Sequence, residues 1–259
     1  MNDLSRRRMM TGMAAGLPLA AILADPLLAR AAASDLEKVS IKTYDGRSVN
    51  GMLAMPAKTP APTVLVIHEW WGLNDQVQAM AAEFAKAGYI ALALDMYDDK
   101  VAPAGDRDAA RALMKAVKPA QGKGTVKAWA EWLLDHVKGN GKLGTVGWCF
   151  GGGWSLNTAL AAPVDACCIY YGRVNKNADQ LRTLKGPVMG HFATRDKWIN
   201  ADMIGGFERA MDTAAKTYTT HWYEADHAFA NPTGTRYDEE DAKLAWTRTL
   251  TFFAKHLKG

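Results

Sequence analysis

Polar and apolar residues alternate along residues 38–44 and again along 49–55, with Asp45-Gly46 between the two runs. A period of two interrupted by a turn dipeptide predicts an antiparallel hairpin. The pattern then changes. Thr63 to His68 is a nearly unbroken apolar run (Thr63-Val64-Leu65-Val66-Ile67-His68), the mark of a strand covered on both faces. A helical period over 76–87 stops at Gly88, and residues 89–94 form a second buried strand ending at Asp95. Helices are predicted over 107–117 and 125–137. Strand and helix alternate from there: strand 143–147, helix 152–161, strand 166–171, a short helix near 178–184, strand 188–193, helix 201–215, strand 218–223 and an amphipathic helix 238–257. Alternation of this kind predicts the α/β class, with a mostly parallel central sheet and helices on both faces. Right-handed crossovers bring the strand ends, and the chemistry with them, to one edge of the sheet. No remaining segment is long enough for a separate lid domain.

The N-terminus has a different pattern. Ser5-Arg6-Arg7-Arg8-Met9-Met10 is basic, residues 11–28 are mildly apolar, and Ala29-Arg30-Ala31-Ala32-Ala33-Ser34 offers small residues for cleavage. Those three regions in that order define a signal peptide. Paired arginines before a modestly hydrophobic stretch point to the twin-arginine export machinery, against a Sec-type signal as the alternative. A membrane span is disfavoured because Gly16, Pro18 and Asp25 interrupt the run. The expectation is a signal over 1–33, one domain over 34–259, and a periplasmic or secreted product with no membrane contact after processing. The formal net charge of +4 lies partly in that leader, and no Lys/Arg block follows it, so nothing suggests nucleic-acid binding.

Three cysteines, Cys149, Cys167 and Cys168, are too few for a disulfide framework. The adjacent pair lies in the apolar run Ala166-Cys167-Cys168-Ile169-Tyr170-Tyr171 and reads as buried strand, with a strained vicinal bridge as the alternative. Cys149 is different. Gly147-Trp148-Cys149-Phe150-Gly151-Gly152-Gly153 stands between a predicted strand and a predicted helix. It has the form Gly-x-nucleophile-x-Gly, with cysteine where serine is usual. A sharp strand-to-helix turn holds the central side chain clear of the sheet at a helix N-terminus, where the dipole favours a thiolate. A phosphate-binding glycine loop would need a Walker lysine or a Gly-x-Gly-x-x-Gly spacing, and neither is present.

A carboxylate and a histidine follow in the order this arrangement requires. Asp196 comes just after strand 188–193, and His227 just after strand 218–223. His227 would move the proton of Cys149, and Asp196 would fix the imidazole tautomer. Asp226 is the weaker partner because its side chain diverges from that of its neighbour His227. His68 and His191 lie on strands, outside this order. Glu69, just past a buried strand and next to Trp70, is placed to line a cleft. Trp70, Trp71, Trp148, Phe150, Trp198 and Phe229 crowd the same loops and suggest an apolar-walled pocket.

These segments resemble the dienelactone hydrolase family of the α/β-hydrolase superfamily. The likeness spans the elbow, Val66-Ile67-His68-Glu69-Trp70-Trp71-Gly72-Leu73-Asn74, Tyr170-Tyr171-Gly172 and Asp226-His227-Ala228-Phe229. The resemblance implies a cysteine hydrolase of small esters or lactones with Cys149, Asp196 and His227 as its triad. It further implies a Glu69 that contacts the resting thiol and leaves when substrate binds, and an oxyanion hole from the backbone N–H groups of Phe150 and Trp70. Substrate contacts are implied around Trp71, Tyr97, Lys100, Trp198, Phe229 and Asn231. Two arginines that hold the carboxylate of dienelactone in the family have no counterpart, since Asp98-Asp99-Lys100 and Asn231 stand in their places. No metal or organic cofactor is implied. A ligand-binding protein on the same scaffold and a thiol acyl-transfer or redox protein are the competing readings.

Overall fold

The computed structural model describes residues 18–259. Its centre is one eight-stranded sheet in the order β1-β2-β4-β3-β5-β6-β7-β8. The hairpin comprises β1 (Glu37–Lys42) and β2 (Ser48–Ala54), turning at Gly46 with φ 81°. It is antiparallel internally and antiparallel to β4 (Ile90–Leu94). All later pairings are parallel: β3 (Ala61–Ile67), β5 (Gly139–Trp148), β6 (Ala166–Tyr170), β7 (Val188–Ala193) and β8 (Tyr218–Tyr223).

Alternation along β3 shows how the layers form. Leu65 and Ile67 face one core and Val64 and Val66 the other, all fully buried. Burial of each such side chain contributes about 1.5–3 kcal/mol. The first core is closed by α5 (Pro119–Leu134), α6 (Phe150–Ala161) and α8 (Ala201–Thr213). The second is closed by α3 (Asp75–Lys86) and α9 (Glu239–Leu257). Between β4 and α5 lies α4 (Arg107–Ala116), and α7 (Ala178–Leu181) is a single turn.

The predicted elements are present, with two differences. Helix α5 begins at Pro119, six residues before the predicted start, because Gly122 and Gly124 belong to it. A Cβ at Gly122 would strike the Trp154 ring, so this glycine serves helix contact and not a loop. Strand β5 likewise begins four residues early, at Gly139.

Residues 1–17 of the expected signal lie outside the described residues. Residues 18–33 form two short helices, α1 (Leu19–Ala24) and α2 (Pro26–Ala32). Asp25 caps α2, accepting from the N–H groups of Leu27 and Leu28, and Pro26 occupies the first helical position. Both helices rest on α3, burying Ile22, Leu23 and Ala29. Among the described residues no helix is long and apolar enough to cross a membrane.

Candidate active site

The parallel strands end together at one edge, and β5 delivers Cys149 there. Its backbone has φ 53° and ψ −113°, a region costly for any residue with a Cβ. The turn survives because its neighbours make room. A Cβ on Gly147 would collide with the Gly151 carbonyl, and one on Gly151 with the carbonyls of Ile67 and His68. The amide of Cys149 is tied to the Tyr170 carbonyl at 3.0 Å, and α6 begins at Phe150. The half-buried thiol thus stands at the positive end of a twelve-residue helix.

His227 Nε2 lies 3.2 Å from Cys149 Sγ, and His227 Nδ1 lies 2.5 Å from Asp196 Oδ2. Asp196 is itself fixed, since its Oδ1 accepts from the N–H groups of Trp198 (2.8 Å) and Ile199 (3.0 Å). Burial disfavours a charged imidazole, but the Asp196 hydrogen bond and then the facing sulfur outweigh it. They hold the His227 pKa up at about 10. For Asp196, burial pushes the carboxyl up, and its bonds to His227, Ile199 and Trp198 win, leaving it below the usual range. Asp226 points away to Arg195, 3.7 Å distant at the surface.

The loop after β3 is set by a histidine that sequence order put aside. His68, fully buried, accepts at Nε2 from Met96 N–H (3.2 Å), so its proton is on Nδ1 and is donated to the Glu69 carbonyl at 2.5 Å. Burial keeps it neutral, with a pKa lowered to about 4. A trans peptide directs its N–H opposite to its C=O. Anchoring the Glu69 carbonyl on His68 therefore turns the Trp70 N–H the other way, and among the described residues that N–H donates to nothing. Phe150 N–H, at the first helical position, has no intrahelical acceptor either. These two donors are the pair expected for an oxyanion.

Glu69 lines the cleft, with its carboxylate held by two neighbours. Its Oε2 accepts from Asn231 Nδ2 at 2.6 Å and its Oε1 from the Tyr171 hydroxyl at 3.3 Å. Among the described residues it makes no hydrogen bond to Cys149, whose sulfur faces His227 instead. Burial raises the Glu69 carboxyl, partly offset by the Asn231 bond and then the positive His227. On its other side, Asn231 Oδ1 accepts from Gln76 Nε2 (3.1 Å) and Thr233 N–H (3.0 Å). It holds Glu69 and also lines the cleft, where a substrate contact was expected of it.

Trp71 and Trp198 line the cleft with Cys149, Phe150 and His227. Three other expected substrate contacts do not. Phe229 is fully buried against Tyr171 and Tyr223. Tyr97 is buried and spends its hydroxyl on the Trp70 carbonyl at 3.2 Å, and Lys100 lies exposed outside the lining. Tyr171, with φ 37° and its ring 5.2 Å from that of His227, belongs to the site and was not singled out. Its sequence signals are its place at the end of a buried strand and its membership of the Tyr170-Tyr171-Gly172 segment, neither of which gave it a role. Arg107 and Arg236 were missed as well. They sit over the rings of Trp70 (5.8 Å) and Trp198 (5.6 Å), and no spacing in the sequence foretells those pairings. His191 is structural, bonded to the Tyr223 hydroxyl (2.8 Å) and Thr249 Oγ1 (3.1 Å). Cys167 and Cys168 are free and buried, so there is no vicinal bridge.

The model of the dienelactone hydrolase family matches residues 49–257. The chain belongs to that family. It is a hydrolase on the α/β-hydrolase scaffold. A carboxymethylenebutenolidase of Pseudomonas putida is 29% identical over 227 residues, covering 84% of this chain and 96% of that protein. A Klebsiella pneumoniae structure described as a candidate dienelactone hydrolase superposes with a TM-score of 0.74 at 27% identity, covering 85% of this chain and 99% of that one. A dienelactone hydrolase-like promiscuous phosphotriesterase from metagenomic libraries shares the fold, with a TM-score of 0.76 at 22% identity.

Proposed function

We propose that this family member hydrolyses small carboxylic esters or lactones through an acyl-cysteine intermediate on Cys149. The reading rests on one observation above all: sulfur, imidazole and carboxylate stand in line, 3.2 Å and 2.5 Å apart. His227 faces the sulfur at the distance a proton transfer between them needs. The thiolate attacks the carbonyl carbon, and the oxyanion takes the N–H groups of Phe150 and Trp70 as the C=O bond opens. Each such donor is worth about 100- to 1000-fold in rate. Collapse breaks the C–O bond and His227 protonates the departing alkoxide. Water then attacks the thioester with His227 as base, the C–S bond breaks to release the carboxylic acid, and the sulfur leaves as thiolate facing the reprotonated His227.

Burial offers a direct check. Cys149 is half-buried, while Cys167 and Cys168 are 1% and 0% exposed. Iodoacetamide on the native protein is expected to alkylate one cysteine, Cys149, with loss of activity in proportion, and substrate is expected to protect it. Full alkylation of Cys149 with activity retained would contradict the reading.

We also propose export by the twin-arginine route, supported by Arg6, Arg7 and Arg8 ahead of an apolar stretch. That route suits a chain whose strained elbow forms only on folding. Replacing all three arginines with lysine is expected to leave active enzyme in the cytoplasm; unchanged export would refute the route.

A further inference from the structure

The cleft holding Cys149 is larger than a small ester requires. With Leu23, Ala24, Pro26 and Ala29 of the expected leader in its lining it spans about 1760 Å³, whereas small-molecule sites usually span about 300–1,000 Å³. Its floor and cationic wall come from residues after 33, which removal of that leader leaves in place. It runs from Cys149 over Phe150 and Trp154, whose rings are 6.1 Å apart, to Leu160 near the far end of α6. That floor is apolar. The wall is cationic: Arg107 and Arg111 come from α4, Lys123 from α5, and Arg173 and Lys176 from the segment after β6. The carboxylates lining the same cleft, Glu69 and Asp75, both belong to the β3–α3 side.

Three of these cations have no internal use. Arg111 is paired with Asp108, but Lys123, Arg173 and Lys176 meet no carboxylate among the described residues. Arg173 is beside the first turn of α6, since a Cβ on Gly153 would sit 3.3 Å from the Arg173 carbonyl. Lys176 is half-buried, and burial, then the positive Lys123, push its ammonium below the usual range. Lys123 and Arg173 are exposed beside the half-buried Lys176, and like charges gathered on one cleft wall repel one another until an anion joins them. Arg173 supplies a planar fork and the lysines point charges, which together suit a carboxylate or phosphate.

We propose that Lys123, Arg173 and Lys176 form an anion subsite at the far arm of the cleft, so that the preferred substrate is an ester with an apolar body and a carboxylate or phosphate remote from the scissile bond. This rests on the cysteine-hydrolase reading and names its substrate class. The apolar body lies along Phe150, Trp154 and Leu160, and the remote anion selects among esters without touching the reacting atoms.

The test uses p-nitrophenyl half-esters of straight-chain diacids of increasing length, each against its neutral methyl-capped counterpart. Matching ω-phosphonoacyl esters separate a phosphate-bearing substrate from a carboxylate-bearing one by the larger gain. At low ionic strength kcat/KM is expected to favour the charged member by about 10-fold once the chain reaches the subsite, mainly through KM. That preference is expected to vanish at short chain length, at high salt, and in the Lys123→Gln/Arg173→Gln/Lys176→Gln variant. Turnover of p-nitrophenyl acetate by this variant is expected to stay unchanged, which also reports that it folds. Lys176→Gln alone is expected to lose about two- to three-fold of the preference. No charge preference at any length, or one that survives the triple variant, overturns the subsite. Acetate turnover without charge preference counts against the subsite alone; absence of any ester turnover counts against the hydrolase reading and the subsite with it.

Discussion

Cys149→Ala is expected to lower ester turnover by about 10⁴-fold or more, with folding unimpaired. Removing a nucleophile from a triad leaves only what substrate positioning and oxyanion donors supply without it, and losses near 10⁶ occur in comparable machinery. The fold should tolerate the change. The one hydrogen bond of the sulfur among the described residues is to His227, and the turn is held by the Cys149 amide on Tyr170 and by the glycines around it. A thermal midpoint equal to or above that of the wild type is expected, because a strained functional residue is seldom optimal for stability. Steady-state rates on p-nitrophenyl acetate beside a melting curve decide the matter. A variant that melts normally and keeps a tenth of the activity would remove Cys149 from the chemistry.

Asp196→Asn is expected to cost about 10⁴-fold in kcat, through a tautomer and not through lost packing. The Oδ1 of Asp196 accepts from two backbone N–H groups, of Trp198 and Ile199. The asparagine amide must keep its oxygen there, which turns its NH₂ toward His227 Nδ1. That nitrogen then has to accept, so the ring proton moves to Nε2 and points at the sulfur it is meant to deprotonate. The acid–base balance shifts in a definite direction too. His227 is held at about 10 against burial by Asp196 and Cys149. Without the carboxylate charge, burial gains weight and the pKa falls, so the imidazole is neutral over more of the neutral pH range. NMR titration of the His227 ring together with kcat checks both parts. An unchanged titration with an unchanged rate would contradict the role given to Asp196.

The meeting of Cys149, Asp196 and His227 was legible because each falls at the end of a separate parallel strand, β5, β7 and β8, and parallel strands deliver their ends to one edge. The hairpin and buried strands were equally plain from their periodicity. Other features depend on contacts that no spacing encodes. Gly122 and Gly124 hid the start of α5, because only the Trp154 ring across the helix pair explains Gly122. His68 looked like a histidine out of order, yet it sets the Trp70 peptide by hydrogen bonds to Met96 and Glu69. Tyr97 and Phe229 read as pocket aromatics, since loop position alone does not reveal which way a ring turns. Asn231 read as a substrate contact standing where the family has an arginine, and no spacing showed that its amide bridges Gln76 and Glu69 across 155 and 162 residues of sequence. Charge in the cleft was missed for the same reason: its cations come from α4, α5 and the segment after β6, and form no run in the chain.

The central claim is that the Cys149 sulfur becomes acylated during turnover. Acid-quenching the enzyme within the first turnovers of p-nitrophenyl acetate, then mapping the peptides by mass spectrometry, tests it most directly. One acetyl group on the peptide carrying Cys149, released by hydroxylamine and absent from the His227→Ala variant, is the predicted result. Rapid turnover with that peptide unmodified, or with the acetyl group on another side chain, would contradict it.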